Sequence, residues 1–69
     1  MQEEQLDDAH KVLTYQEVSG IYRVPVATLR KWRFDRTGPP SFKLGRRVVY
    51  RKSDVLAWLE EKFNADVTR

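Results

Sequence analysis

Pro25 divides the helix-forming first half of the chain into two segments. Proline fixes φ near its helical value and has no amide hydrogen, so it is favoured in the first turn of a helix and interrupts one already running. It also pushes the preceding residue, Val24, toward extended geometry. The sequence therefore predicts a short helix, a turn of about three residues, and a second helix from Pro25 to about Arg36.

The first helix has a clear start signal. The residues TYQE at positions 14–17 fit a capping box, in which the threonine hydroxyl accepts from the amide of the glutamate and the glutamate carboxylate accepts in return. Leu13 precedes the box as a staple residue, and Val18, Ile21 and Tyr22 follow at helical spacing. We expect this helix to run for about two turns and to end around Tyr22 or Arg23. Two helices joined by so tight a turn form a helix-turn-helix.

The second helix has two chemically different sides, because successive residues rotate by about 100°. Leu29 and Trp32 lie on one side, which we expect to face the core. The opposite side is basic and begins with a small residue, which allows close approach to another surface. It consists of Ala27, Arg30, Lys31 and Phe34.

A β-hairpin is predicted after this helix. Gly38 in a left-handed conformation, followed by Pro39 and Pro40, is expected to end the helix. Two β-favouring runs, 42–44 and 48–51, then flank a loop that contains glycine, which indicates a hairpin with a three-residue turn.

The register that we expect for this hairpin follows from its apolar residues. Four side chains should share the buried face: Phe42, Leu44, Val48 and Tyr50. Three should face outward: Lys43, Val49 and Arg51. Arg46 and Arg47 would then occupy the tip, whereas a two-residue turn would shift the register and bury Arg47.

Ser53 is expected to cap a last helix that ends near Asn64. The apolar stripe of this helix should consist of Val55, Trp58, Leu59 and Phe63. Together the elements predict an α+β fold, a small winged helix-turn-helix made of the two-helix motif, a β-hairpin wing and a C-terminal helix. The predicted organisation is a flexible acidic arm over residues 1–11, a folded domain over 12–64 and a tail over 65–69.

Charge is segregated along the chain, although its sum is only +3. Residues 1–10 carry −4 and residues 53–69 carry −2. Between them, residues 11–52 hold eleven lysines and arginines against Glu17 and Asp35, which is +9. So strong a local positive potential favours a polyanion as the partner.

Other classes of function find no support in the residues. With no cysteine and His10 as its one histidine, the chain predicts neither a metal site nor a cofactor. It has no Gly-rich phosphate loop and no convergent acid–base pair, so we expect no enzymatic activity. No apolar run approaches a membrane span, and residues 1–10 lack the order of a signal peptide, which predicts a soluble intracellular protein without a membrane partner.

The basic features converge on double-stranded DNA as the partner. The major groove admits an α-helix whose first residues touch base edges, and the minor groove attracts arginines. The expected recognition-helix contacts are Val26, Ala27, Thr28, Arg30, Lys31 and Phe34. The expected wing contacts are Lys43, Arg46 and Arg47. Contacts to the DNA backbone at the flank are expected from Arg23, Arg33 and Arg36.

Some of these side chains have more than one expected role. Arg33 and Arg36 lie nearer the core-facing edge of their helix, where each would bridge to a neighbouring carboxylate or to a phosphate. Phe34 has no core to join on its polar face. It would pack under the wing, touch DNA sugars, or contact a second copy of the chain.

The chain resembles the excisionase, or recombination directionality factor, family of phages and the wider winged-helix group that includes MerR-type regulators. The segments that carry the resemblance are LTYQEV (13–18), VPVATLRKW (24–32), GPP (38–40), KLGRRV (43–48) and YRKSDVLAWL (50–59). The resemblance implies a recognition helix in the major groove and a wing in the minor groove. By position it implies helix contacts from Ala27, Thr28, Arg30 and Lys31, and a wing contact from Arg46.

The same resemblance implies an architectural role. Excisionases of this family bind several adjacent sites, bend DNA and help a tyrosine integrase to reverse integration. The implied partners are further copies of the chain and a tyrosine integrase, and the implied location is the cytoplasm of a bacterial host, at the nucleoid. Two alternatives stay open: a small transcriptional regulator on the same fold, and a protein-interaction adaptor that docks through Phe34 and the helix of Trp58.

Overall fold

The computed structural model describes residues 10–67, which form three helices and a three-stranded antiparallel sheet. In chain order the elements are β1 (Val12–Thr14), α1 (Tyr15–Tyr22), α2 (Val26–Asp35), β2 (Phe42–Leu44), β3 (Arg47–Arg51) and α3 (Lys52–Val67). This is the predicted α+β winged helix-turn-helix, in which α1 and α2 form the motif and the β2–β3 hairpin is the wing. Most of the predicted acidic arm, residues 1–9, and positions 68–69 of the predicted tail lie outside the described residues.

The capping box forms as predicted and fixes the start of α1. The Glu17 amide donates to Thr14 Oγ1 at 3.2 Å, and the Thr14 amide donates to Glu17 Oε1 at 2.9 Å. Leu13 and Val18, on either side of the box, are both buried, as the staple requires. Ile21 was expected on the same apolar side, but it is 56% exposed because the core meets α1 along Val18 and its neighbours instead.

The two helices of the motif end in the same way. Arg23 after α1 and Arg36 after α2 both adopt the left-handed conformation, each with φ of 62°. The expectation that Gly38 would supply the left-handed end of α2 is therefore wrong. The amides of Arg36 and Thr37 already satisfy the Arg33 and Trp32 carbonyls, so the helix ends before the glycine is reached.

The core takes one buried residue from each of five elements. They are Leu13 of β1, Val18 of α1, Leu29 of α2, Tyr50 of β3 and Val55 of α3, each no more than 2% exposed. All three residues of β2 are exposed. The edge strand β2 and the tip of the wing therefore extend from a body to which the other five elements each contribute a buried residue.

The predicted hairpin register is wrong. The turn has two residues, Gly45 and Arg46, so Leu44 pairs with Arg47 and Phe42 pairs with Val49. Gly45 has φ of 66°, which suits the first position of the two-residue turns whose twist matches that of paired strands. Arg47 nevertheless stays exposed, since the end of the hairpin lies beyond the core and neither of its faces is covered.

Strand β1 was not predicted, and it makes β3 the central strand. Leu13 pairs with Tyr50 and Thr14 pairs with Val49. Val49 was expected to face outward but is only 3% exposed, because it lies between Thr14 on one side and Phe42 on the other. Phe42 and Leu44, expected to be buried, are exposed on the edge strand.

The last helix differs from its prediction at both ends. It begins at Lys52, whose amide donates to the Lys11 carbonyl at 2.9 Å, so Ser53 lies within the first turn and is not the cap. It continues through Val67 rather than ending near Asn64. Of the predicted stripe, Val55 is buried but Phe63 is 61% exposed, because the body covers only the first half of the helix.

Trp32 and Trp58 join α2 to α3. Their ring centroids lie 5.3 Å apart at an interplanar angle of 49°. Such an aromatic pair contributes about 0.5–1.5 kcal/mol beyond the area it buries. The position of α2 on the body therefore depends on α3 as well as on α1.

Candidate nucleic-acid interface

The outer side of α2 is open to solvent. Ala27, Arg30, Lys31 and Phe34 are all exposed on it, whereas Leu29 on the opposite side is 1% exposed. Val26 and Thr28, the other two predicted helix contacts, are half-buried at the start of the helix. Phe34 is 85% exposed, so the expectation that it packs under the wing is wrong.

The two cations at the centre of this side are held in different ways. Lys31 Nζ lies 3.0 Å from Asp35 Oδ2, an ion pair between residues one helical turn apart. The Arg30 guanidinium carbon instead lies 5.3 Å from the centroid of the Tyr15 ring. Lys31 is thus paired with a carboxylate of its own helix, whereas Arg30 has no carboxylate partner among residues 10–67.

The three arginines predicted to contact the DNA backbone differ in their exposure. Arg33 is half-buried, and its Nη1 donates to Ser41 Oγ at 2.8 Å. It therefore ties α2 to the segment that leads into the wing, and within residues 10–67 it does not bridge to a carboxylate. Arg23 and Arg36 are exposed at the left-handed ends of α1 and α2.

An open groove of about 820 Å³ runs along one side of α2. Six of the residues that line it are Tyr15, Arg30, Arg33, Phe34, Arg36 and Ser41. Three guanidinium groups and two aromatic rings thus meet in one concave surface. Guanidinium groups donate in a fork that matches phosphate and guanine edges, so this surface suits a nucleic-acid strand.

A second groove lies between the start of α1 and the wing. Arg46 and Arg47 of the hairpin line it together with Gln16 and Tyr15. Tyr15 therefore borders both grooves, with α2 on one side and the wing tip on the other. Lys43, exposed on β2, lies outside both grooves.

Tyr15 lines both grooves, and the sequence did not reveal this position. In sequence it is one letter of a capping box. Its contact with Arg30 joins two different helices, so no local spacing rule could have pointed to it. Its ring also meets the ring of Tyr50 edge-on, with centroids 6.0 Å apart.

Burial raises the pKa of the Tyr50 hydroxyl above its ordinary value of 10.0. The nearby Tyr15 hydroxyl acts in the same direction, and the positive charge of Arg33 opposes both. Tyr50 is therefore neutral near pH 7, and the charge around the two grooves comes from the arginines.

Within residues 10–67, no cluster of three or more histidine, cysteine or carboxylate side chains could hold a metal ion. In the same part of the chain, no helix has the length and apolar character that crossing a bilayer requires.

A helix-turn-helix with an exposed basic second helix, beside an arginine-tipped wing, defines a DNA-binding protein of the winged helix-turn-helix class. A family model described as a helix-turn-helix domain matches residues 12–62, and the chain belongs to that family. No curated protein and no solved structure gives a significant match to the chain.

Proposed function

We propose that the chain is an excisionase-like architectural protein, which binds several adjacent sites on double-stranded DNA, bends the duplex and directs a tyrosine integrase toward excision. The observation that carries this proposal is the arrangement of α2 and the wing on either side of Tyr15, with Arg30 on one side and Arg46 on the other. Two basic elements so placed would enter neighbouring grooves of one duplex.

In this proposal α2 lies in the major groove. Ala27 at its start has only a methyl group, so the helix can approach closely and meet thymine methyl groups. Val26 and Thr28 flank the same end. Arg30 and Lys31 follow one turn later, where a guanidinium can donate to both acceptors of a guanine.

The wing enters the minor groove. Its tip is narrow because the turn has two residues, and both Arg46 and Arg47 are exposed on it. Arginine is attracted by the negative potential of the minor groove, most strongly where A·T-rich sequence narrows it. Lys43 on the edge strand would contact the adjacent phosphates.

Arg23, Arg33 and Arg36 would fix the register of the protein on the DNA backbone. Phosphate contacts of this kind supply much of the affinity but carry no direct sequence information. With about six phosphate contacts, binding should weaken on the order of a thousandfold between about 50 and 200 mM salt.

Adjacent copies on DNA would contact one another through the exposed half of α3. Phe63 and Val67 in this half of the helix are 61% and 59% exposed. Glu60 and Glu61 add negative charge to the same half, which complements the basic surface of a neighbouring copy. Replacing Phe63 with Ser should therefore reduce the cooperativity of binding and leave the affinity for a single site unchanged.

The test has two stages. Footprinting on genomic DNA around the gene should show several adjacent protected sites, and an Arg46→Ala/Arg47→Ala double variant should lose protection. An excision assay with the neighbouring integrase should then depend on the chain. An effect on a promoter without any effect on excision would establish the transcriptional regulator instead. A protein partner retained by the double variant through the exposed Phe34 would favour the adaptor.

A further inference from the structure

We propose that Tyr15 is a positioning residue for DNA recognition: its ring holds the Arg30 guanidinium in the orientation that contacts bases. This inference rests on the DNA-binding function proposed above and adds a residue of α1 to a site otherwise made by α2 and the wing.

Among residues 10–67, the Arg30 guanidinium contacts an aromatic ring and makes no hydrogen bond. Its guanidinium carbon lies 5.3 Å from the centre of the Tyr15 ring, within the range of a cation–π contact. Among residues 10–67, no carboxylate lies within ion-pair distance of Arg30. A ring face attracts the guanidinium through its charge, so the N–H groups at the edge of the guanidinium plane stay available for a base or a phosphate.

Lys31 provides the contrast on the same side of the helix. Its ammonium group is bound to Asp35 at 3.0 Å, and a contact with DNA would compete with that ion pair. Arg30 needs no such exchange of partners. Of the two central cations of α2, Arg30 is therefore the one prepared for a directional contact.

The Tyr15 ring is itself held by a contact with the core. It meets the ring of Tyr50 at an angle of 69°, and Tyr50 is 1% exposed in the core. Tyr15 also begins α1 directly after the capping box. A long arginine side chain loses much rotamer freedom when it binds, and a ring that already restricts it reduces that loss.

The position of Tyr15 limits what else it could do. It borders the groove that holds Arg30 and the groove that holds Arg46, so a DNA strand between α2 and the wing would pass over it. If the Tyr15 ring had a purely structural role, its removal would not change how well the protein discriminates between bases. In the proposed role its removal weakens that discrimination, and it does so through Arg30 alone.

The experiment measures sequence discrimination by the full chain. Short duplexes with a randomised core are selected on the unsubstituted protein, and the ratio of Kd on a scrambled duplex to Kd on a selected duplex is determined for each variant. Tyr15→Leu and Arg30→Ala should each lower this ratio about three- to tenfold, and the double variant should lower it no further than Arg30→Ala alone. The salt dependence of DNA binding should be the same for Tyr15→Leu as for the unsubstituted chain, because the substitution leaves the charge of the protein unchanged.

Tyr15→Phe is the matched control, because it keeps the ring and should keep the ratio. A second measurement uses the unsubstituted chain and does not depend on a variant folding: nuclear Overhauser contacts between the Arg30 side chain and the Tyr15 ring should persist in the complex with the selected duplex. Additive losses in the double variant, or loss of those contacts on binding, would overturn the inference while leaving DNA binding intact. An unsubstituted chain that ignores DNA at low salt would overturn the proposed function itself.

Discussion

Gly38 lies against the face of Trp32 so closely that a Cβ atom added to it would be 2.8 Å from Cε3 of the indole. Its φ of +77° is also one that side chains rarely adopt. Two separate requirements thus make this position glycine. Trp32 in turn packs on Trp58, so the loop after α2 is fitted to the contact between α2 and α3.

The three glycines allow these two requirements to be separated. Gly38→Ala should lower the free energy of unfolding by about 2–4 kcal/mol, from backbone strain together with the clash. Gly45→Ala has the positive φ but nothing within 4 Å, so it should cost only about 1–2 kcal/mol. Gly20→Ala, inside α1 with neither constraint, should stabilise by about 0.5–1 kcal/mol. Urea unfolding of the three variants checks the order, and an equal loss at Gly38 and Gly45 would exclude the clash.

Arg36 occupies a backbone conformation that glycine adopts more easily. Its φ of 62° and ψ of 39° cost a residue other than glycine or asparagine about 1–2 kcal/mol. Arg36→Gly should therefore raise the free energy of unfolding by up to about that amount, while it lowers DNA affinity and reduces the salt slope by about one. Thermal melting and filter binding measure the two effects. If the variant gains no stability, the left-handed geometry carries no strain at this position.

Tyr50 should make the fold sensitive to alkali. Its folded-state pKa lies above the ordinary 10.0, chiefly because of burial, so below about pH 10 both folded and unfolded chains hold the proton and the full stability is present. Above about pH 10 the unfolded chain loses the proton first, and stability falls as the pH rises through the folded pKa. Tyr50→Phe should lose less unfolding free energy than the unsubstituted chain between about pH 9 and about pH 11. Parallel curves of unfolding free energy against pH for the two proteins would show that Tyr50 is not the source of the sensitivity to alkali.

Asp35 should restrain DNA binding through Lys31. The pair is exposed, so Asp35→Asn should change stability by less than about 0.5 kcal/mol. On DNA the variant should bind roughly three- to tenfold more tightly to every duplex, because Lys31 is released and a negative charge leaves the interface. Asp54→Asn is the matched control: it changes the net charge equally, but it breaks the ion pair with Arg51, at the other end of β3 from the wing tip. An equal gain in both variants would attribute the effect to net charge alone.

The elements that sequence predicted correctly are set by contacts between close neighbours in the chain. The capping box joins Thr14 and Glu17, and Pro25 acts on its own backbone and on that of Val24. The periodic placement of Leu29 and Trp32 fixed the inner side of α2 in the same way. Each of these rules operates within about one helical turn, so the residues themselves contain the information.

The sequence alone was insufficient wherever contacts between residues far apart in the chain determine the structure. β1 exists because it pairs with β3, which brings Leu13 opposite Tyr50. The predicted register assumed that Phe42 and Leu44 would be buried, but the body of the domain does not extend beneath the wing. The prediction that α3 ends near Asn64 similarly assumed that a core would cover Phe63.

For the interface, the sequence by itself determined which side chains are basic and that α2 presents Ala27, Arg30 and Lys31 together, because helical rotation requires it. Only the tertiary structure decided that Tyr15 lies beside Arg30 and that the wing borders the same tyrosine. The physical reason is that charge, periodicity and the pairing of Lys31 with Asp35 one turn away are properties of the chain, whereas the contacts between α1, α2 and the wing depend on which elements pack side by side.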